Sequence, residues 1–169
     1  EPMIHAIAQF PRHHGKKLLE VGVGAGTDHL QWARAGAECF GVDLTQAAID
    51  TTQSRFAMYG FKTNLQRVDA EVLPFPDASF DIVYSWGVIH HSEKPEAIVA
   101  EINRVLKPGG ELYFSDVYAD RRVDARLAAD PVLYGECLSG ALYWHDFLDL
   151  ARLCGFRDPR LVESRPITV

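Results

Sequence analysis

The chain has 169 residues, of which 47% are hydrophobic and 24% are charged, and this length and composition fit one globular domain, residues 1–169, with a continuous core. Its 23 acidic and 17 basic residues give a formal net charge of −6, and the basic ones are scattered, so a nucleic-acid partner is not expected. No apolar run approaches the roughly 20 residues needed to cross a bilayer, so membrane insertion is not expected either.

Short apolar runs rich in β-branched residues alternate with helical patterns along the chain. The predicted strands cover residues 18–21, 38–42, 64–68, 81–84, 111–117 and 160–169. The predicted helices between them cover residues 27–35, 46–59 and 95–106, with Thr45 as an N-cap and Gly36 and Gly60 as stops. This alternation predicts an α/β fold with a doubly wound, mostly parallel sheet, whose ligands bind beyond the carboxyl ends of the strands.

The pattern changes in the last third of the chain. Residues 123–140 are small and polar, and we interpret them as a mobile or a substrate-covering segment. Residues 143–154 then regain an amphipathic helical period that ends at Gly155.

A glycine-rich turn follows the first predicted strand. Glu20 lies near the end of that strand, and Gly22, Gly24 and Gly26 alternate in the turn before a helix that begins at about Thr27. A nicotinamide dinucleotide site needs glycine at the position of Thr27, so the register disfavours NAD. The charge of Glu20 would repel a pyrophosphate, and it favours a cationic ligand instead.

Carboxylates also follow the second and third predicted strands. Asp43 can accept hydrogen bonds from a ribose diol, and Asp69 with the backbone N–H of Ala70 can contact an adenine edge. Together with Glu20 and Glu71 they would form an acidic cleft, suited to a ligand that carries a sulfonium and an ammonium group. The alternative is that these aspartates are solvated carboxylates or helix-start residues.

The chain resembles the class I S-adenosylmethionine-dependent methyltransferases over residues 16–118. The resemblance rests on the glycine turn, on DAEVLPFPDASFD at 69–81 and on RVLKPGG at 104–110. It implies a Rossmann-like methyltransferase fold, and S-adenosyl-L-methionine as the cofactor. That family fold ends with one strand more than this sequence supplies, so a fragment of a longer chain is expected. The residues that the resemblance assigns to the cofactor are Glu20, Gly22, Gly24, Gly26, Asp43, Asp69, Ala70 and Trp86.

The last third resembles the arsenite methyltransferases at residues 110–118, 134–144 and 159–162. In those enzymes the cysteine that matches Cys137 is an arsenic ligand, and the lone pair of As(III) attacks a methyl group without a base. They also carry a cysteine shortly after the fourth strand, where this chain has Ser85-Trp86-Gly87. Residues 86–91 instead resemble the ubiquinone-biosynthesis-like and small-molecule methyltransferases.

Several side chains are candidates for the acceptor side of the chemistry. His90 and His91 could take a proton from an acceptor, or they could pack as turn histidines under the following helix. Cys137, Tyr143 and Trp144 could contact the substrate, and a buried thiol and core aromatics are the alternatives for them.

Three cysteines without short spacing argue against a disulfide framework and against a structural zinc site, and they favour a reducing, cytoplasmic location. We interpret Cys39 and Cys154 as core residues. The leading hypothesis is methyl transfer to a small-molecule acceptor by in-line displacement. The alternatives are methylation of a trivalent arsenical with a reduced set of cysteines, and a non-catalytic S-adenosylmethionine-binding module.

Overall fold

The computed structural model describes residues 2–124, 126 and 141–166. Within these residues the strands are β1 Lys17–Val21, β2 Glu38–Asp43, β3 Asn64–Arg67, β4 Phe80–Trp86, β5 Leu106–Ser115, β6 Tyr118–Ala119 and β7 Leu142–Tyr143. The α-helices are α1 Pro2–Ala8, α2 Thr27–Arg34, α3 Gln46–Tyr59, α4 Pro95–Val105 and α5 Trp144–Leu153. Short 3-10 helices cover Phe10–His13 and Ile89–His91.

The first five strands form one parallel sheet in the order β3-β2-β1-β4-β5, and β6 and β7 form a separate two-stranded ribbon. The chain moves outward from β1 to β2 and β3, and then returns to the other side of β1 with β4. Val21 of β1 and Ser85 of β4 are partners in this central pair. In open α/β sheets, ligands bind at such a reversal of strand order, beyond the carboxyl ends of the two strands.

Alternate residues of the central strands point to opposite faces of the sheet. Leu18 joins the apolar core under α1, α2 and α3, whereas its neighbour Leu19 joins the core under α4 and α5. Tyr84 and Val83 divide in the same way in β4. The doubly wound α/β fold predicted from the sequence is confirmed.

The predicted helix ends agree closely with the observed ones. The Thr45 hydroxyl accepts a hydrogen bond from the Ala48 amide at 3.3 Å, as an N-cap does, and Gly60 ends α3 with a φ of +72°. Pro95 occupies the first turn of α4, where its missing N–H has no helical partner to lose. No helix in the described part of the chain is long and apolar enough to cross a membrane.

Several segments differ from the sequence prediction. The helix α1 lies outside every predicted element, and β6 and β7 were not predicted as strands. β5 begins at Leu106, not at residue 111, because a bulge carries the register from the Phe80–Leu106 pair to the Ile82–Glu111 pair. The predicted strand over 160–169 is wrong for residues 160–166, which form no strand in the structure.

Leu161 and Val162 explain that last difference. They are 57% and 71% exposed, so these apolar side chains do not pack against a buried face. A run of strand-forming residues becomes a strand only where a neighbouring edge and a packed face receive it. The segment interpreted as mobile or substrate-covering, residues 123–140, lies largely outside the described residues.

One arginine fastens the loop between β3 and β4 to helix α4. The Arg104 guanidinium donates to both carboxylate oxygens of Glu101 at 2.7 Å, and to the carbonyls of Leu73 and Phe75 at 2.9 and 2.8 Å. Glu101 in turn accepts the Leu73 amide at 2.7 Å. The hydrogen bond from Arg104 holds the pKa of Glu101 below its ordinary value, and the contact with the Leu73 amide acts in the same direction.

This network predicts a loss of stability in acid. A depressed carboxyl pKa in the folded state stabilises the fold above the unfolded pKa, near 4.5, and this contribution is lost as the pH falls through the folded value. We expect Glu101→Gln to lower the free energy of unfolding at pH 7 and to flatten its decline below pH ~4.5. Urea unfolding of both proteins from pH 3 to 7 measures this. Glu96→Gln, at an exposed position of α4, is the matched control, and an unchanged acid slope in Glu101→Gln would contradict the prediction.

Candidate functional site

The turn after β1 packs without a side chain against the loop after β4. Gly22 has a φ of +79°, and a Cβ at this position would lie 2.3 Å from Cγ2 of Val88. Only glycine satisfies both the left-handed backbone and this close approach. Gly24 and Gly26 complete the turn, and the Gly26 amide donates to the Val23 carbonyl at 2.7 Å just before α2 begins.

Helix α3 holds the outer side of this glycine turn. The Thr52 hydroxyl, fully buried, donates to the Gly24 carbonyl at 3.1 Å, and the Arg55 guanidinium donates to the Ala25 carbonyl at 2.6 Å. Both carbonyls therefore point toward α3. These two hydrogen bonds fix the turn from behind, whereas a Cβ at Gly24 would meet no atom within 4 Å.

Asp43 organises the edge of the sheet beside the turn. Its Oδ2 accepts the Gly24 amide at 3.1 Å, and its Oδ1 accepts the amide and the hydroxyl of Thr45, both at 2.9 Å. A carboxylate has about four acceptor positions, so three hydrogen bonds leave one for a further donor. Asp43 thus joins the glycine turn to the start of α3 and retains capacity to bind a hydroxyl group.

Glu20 points away from the strand ends, toward α2. Its carboxylate lies 3.0 Å from Nδ1 of His29, and Glu20 is only 3% exposed. Nε2 of His29 lies 2.7 Å from the Thr63 hydroxyl, which itself donates to the Cys39 carbonyl, so Nε2 carries a proton. Burial raises the pKa of the Glu20 carboxyl, and the hydrogen bond with His29 opposes this rise.

The loop after β3 places its acidic residues at the same edge. Asp69 is exposed and accepts the Glu71 amide at 3.0 Å, and Ala70 packs against the core under α4. Glu71 accepts the Ser92 hydroxyl at 2.9 Å and lies 3.4 Å from the Lys94 ammonium. The loops after β3 and β4 are therefore connected across the ends of the central strands.

The end of β4 carries a buried hydroxyl and a half-buried indole. Ser85 is 1% exposed, and its Oγ has no hydrogen-bond partner among the described residues. The Trp86 ring stacks on Tyr84 with centroids 6.3 Å apart, on the face covered by α2. Ser85 and Trp86 thus leave the strand on opposite faces of the sheet.

His90 forms a buried pair with a carboxylate from the neighbouring strand end. Asp116, which follows β5, contacts Nδ1 of His90 and also accepts the His90 amide at 3.1 Å. Their side chains are 6% and 3% exposed. Nε2 of His90 is buried and has no partner among the described residues.

His91 lies beside this pair but in a different environment. Its ring centroid is 3.9 Å from that of His90, and the residue is exposed. Partial burial lowers the pKa of His91, and the neighbouring His90 acts in the same direction. His90, unlike the exposed His91, is buried together with its carboxylate partner Asp116.

The candidate residues for contact with the acceptor lie in different environments. Trp144 belongs to an aromatic cluster, with its ring 5.1 Å from Tyr118 and 6.2 Å from Phe147. Tyr143 is half-buried, and the Arg122 guanidinium lies 5.8 Å from its ring centroid. Cys137 lies outside the described residues.

The other two cysteines pack as the sequence suggests. Cys39 is 3% exposed, and burial raises the pKa of its thiol to about 12. Cys154 is half-buried against the core under α5. Within residues 2–124, 126 and 141–166, no group of three or more histidine, cysteine, aspartate or glutamate side chains is placed to hold a metal ion.

Three residues of this site escaped the sequence prediction. Asp116 follows β5, which ends at Ser115, but it lies inside the strand predicted over 111–117, so the rule that selected Asp43 and Asp69 passed over it. Thr52 and His29 carry no such signal. Their contacts depend on how α3 and α2 lie on the sheet, and sequence spacing does not specify that packing.

Comparison with known proteins identifies the family of the chain. A family model described as a methyltransferase domain matches residues 19–114. An arsenite methyltransferase from Aquipseudomonas alcaligenes is 43% identical over 166 residues, covering 92% of this chain and 48% of its own length. The rat arsenite methyltransferase is 36% identical, with 90% of this chain and 45% of its own length covered. The chain therefore spans about half the length of these curated relatives.

A solved structure is similar over most of the chain. It is an arsenic(III) S-adenosylmethionine methyltransferase from Chlamydomonas reinhardtii, with 39% sequence identity and a TM-score of 0.83. The superposition covers 89% of this chain and 55% of the other. The family match, the parallel sheet and the glycine turn lead to one conclusion: the chain belongs to the methyltransferase domain family, as a class I S-adenosylmethionine-dependent methyltransferase domain that resembles the arsenite methyltransferases.

Proposed function

We propose that this domain binds S-adenosyl-L-methionine at the carboxyl ends of β1, β2 and β4 and transfers its methyl group to a small-molecule acceptor. The observation that carries the proposal is the glycine turn, fixed from behind by Thr52 and from the side by Asp43. Such a turn leaves backbone amides at the strand ends free of Cβ obstruction, as a closely bound ligand requires.

The residues present fit this cofactor. A Cβ at Gly24 would meet no atom within 4 Å, so the turn has open space at this glycine. The one acceptor position left on Asp43 suits a ribose hydroxyl, and the exposed Asp69 with Ala70 suits the adenine edge. Trp86 would line the same edge from β4. The contact between Glu20 and His29 supports a role for Glu20 in fixing α2 behind Gly22 and Gly26.

Bound S-adenosylmethionine supplies a methyl group on a sulfonium, whose carbon–sulfur bonding pair returns to sulfur on transfer. The protein's part is to orient the acceptor in line with that bond, which accounts for most of the rate enhancement of such displacements. In this proposal His90 and His91 are the candidates for taking an acceptor proton, and Tyr143 and Trp144 would cover the acceptor. Cys137 belongs to this proposed acceptor side as well.

A second candidate acceptor is a trivalent arsenical. Identity of 43% to an arsenite methyltransferase favours it, and so does the match of Cys137 to a cysteine that binds arsenic in those enzymes. Gly87 stands where they carry a second thiol, and one thiolate coordinates As(III) weakly. We propose a reducing, cytoplasmic location and no nucleic-acid partner, which the three cysteines and the net charge of −6 support.

Binding and turnover can be measured separately. We expect titration calorimetry to detect S-adenosylhomocysteine binding that excess NAD does not displace, and we expect radiolabelled methyl transfer to at least one acceptor in a panel that includes arsenite. Displacement by NAD, or no binding at all, would overturn the proposed cofactor. Binding without methylation of any acceptor would favour the non-catalytic module.

A further inference from the structure

We propose that Asp116 fixes the imidazole of His90 in one tautomer, so that Nε2 accepts a proton from the methyl acceptor. The acceptor is then a nucleophile with a dissociable proton on the attacking atom, such as an amine, a hydroxyl or an acidic carbon. This inference rests on the proposed methyl transfer, and it names the substrate class and the positioning residue for that site.

The direction of the hydrogen bond determines which imidazole nitrogen carries hydrogen. Asp116 accepts the His90 backbone amide at 3.1 Å and also contacts Nδ1 of the same residue. An ionised carboxylate can only accept, so Nδ1 is the atom that carries hydrogen. In the neutral imidazole, the lone pair then lies on Nε2.

Nε2 is buried and has no hydrogen-bond partner in the described part of the chain. A buried acceptor left unpaired costs about 1–3 kcal/mol, so native proteins seldom retain one without a use. A substrate N–H or O–H would pair it.

His90 lies in the 3-10 helix that follows β4, and Val88 of the same loop touches the glycine turn at Gly22. β4 is the strand paired with β1, so the histidine lies next to the proposed cofactor turn and not at a remote edge. Asp116 follows β5, the other neighbour of β4. The pair is thus held by two adjacent strand ends.

His91 lies in a different environment. It is exposed, whereas the side chains of His90 and Asp116 are both buried, and its ring is tilted against that of His90 with centroids 3.9 Å apart. We assign the proton transfer to His90 because its buried contact with Asp116 defines the tautomer.

The proton and electron balance defines the substrate class. The proton on the acceptor atom moves to Nε2, and the electron pair of that bond remains on the acceptor atom and forms its bond to the methyl carbon. The positive charge on the imidazole is stabilised by Asp116, and the proton later leaves to water. An As(III) lone pair carries no proton and has no need of this group.

The tautomer can be observed without turnover. We expect 15N NMR of histidine-labelled protein to show His90 protonated at Nδ1 and not at Nε2. In Asp116→Asn this preference should be lost, because the amide can also donate a hydrogen bond to Nδ1. The matched control is Asp120→Asn, a change of carboxylate to amide at an exposed position of the same segment. An Nε2-protonated His90 in the wild-type protein would overturn the proposal.

Kinetics test the role of Nε2. His90→Asn keeps an N–H for Asp116 but removes Nε2, and we expect kcat with a protic acceptor to fall on the order of 10²- to 10⁴-fold, as it should in Asp116→Asn. S-adenosylhomocysteine affinity should stay within about twofold, since neither side chain is assigned to the cofactor. Unchanged kcat in both variants would overturn the proposal.

The two proposals fail in different ways. Methylation of arsenite alone, at a rate unaffected by His90→Asn, would overturn the protic substrate class and leave methyl transfer standing. Absence of S-adenosylhomocysteine binding would overturn the proposed function, and the NMR result would still decide the state of the histidine.

Discussion

Gly22→Ala is expected to lower the free energy of unfolding by about 2–5 kcal/mol, which combines left-handed backbone strain with overpacking. The added Cβ would lie 2.3 Å from Cγ2 of Val88, a short and stiff side chain that cannot rotate away freely. The turn or the β4 loop must move, and either movement distorts the proposed cofactor site. A clash worth about 1–3 kcal/mol corresponds to an affinity loss for S-adenosylhomocysteine of about 5- to 150-fold.

A second glycine provides the control for backbone strain. Gly60 has a φ of +72°, similar to that of Gly22, but a Cβ there would meet no atom within 4 Å. Gly60→Ala should cost only the strain, about 1–2 kcal/mol, and leave cofactor affinity unchanged. The double variant Gly22→Ala/Val88→Ala should recover part of both losses, because it removes the two closest atoms. Equal losses of stability in Gly22→Ala and Gly60→Ala would refute the proposed clash.

Asp43→Asn is expected to weaken S-adenosylhomocysteine binding by about 10- to 150-fold, the equivalent of one charged hydrogen bond of about 1.5–3 kcal/mol. The carboxylate now accepts from three donors, the Gly24 amide and two groups of Thr45. An amide in its place presents an N–H to one of these donors. The loop therefore loosens, and the remaining acceptor position for a ribose hydroxyl is weakened as well.

A modified ligand separates these two effects. Wild-type protein should bind S-adenosylhomocysteine more tightly than its 2′-deoxy analogue, and Asp43→Asn should lose much of that preference. Asp50→Asn is the matched control, because Asp50 lies on α3 and accepts a hydrogen bond from the neighbouring Gln46 side chain. If the preference for the 2′-hydroxyl survives in Asp43→Asn, the carboxylate does not contact the ribose.

The fold was predictable wherever the local signal and the tertiary environment agree. Buried parallel strands are dense in apolar residues, and the glycines and Thr45 mark helix ends through backbone geometry alone, so these elements were placed within a few residues. The segment at 160–166 has the composition of a strand but finds no sheet edge. The bulge after Leu106 depends on how β5 meets β4, and composition cannot specify that register.

The sequence predicts which strand ends carry the candidate site residues, but it predicts less well the directions in which their side chains point. Residues after parallel strands must gather at one edge, which is why Asp43, Asp69 and His90 lie there. The direction of the Glu20 side chain was not predicted. Strand alternation points it to the face under α2, where it contacts His29. The contact between His90 and Asp116 joins residues 26 positions apart, and it exists only because β4 and β5 are neighbours.

The strand order also has an evolutionary consequence. Within the described residues, the chain crosses from one side of β1 to the other once, between β3 and β4. The segment up to Arg67 and the segment from Phe80 onward therefore meet in the sheet along the single pair of β1 with β4. Substitutions on either side of that pair are tolerated in evolution only if they remain compatible with it, and Gly22 against Val88 is the tightest such constraint.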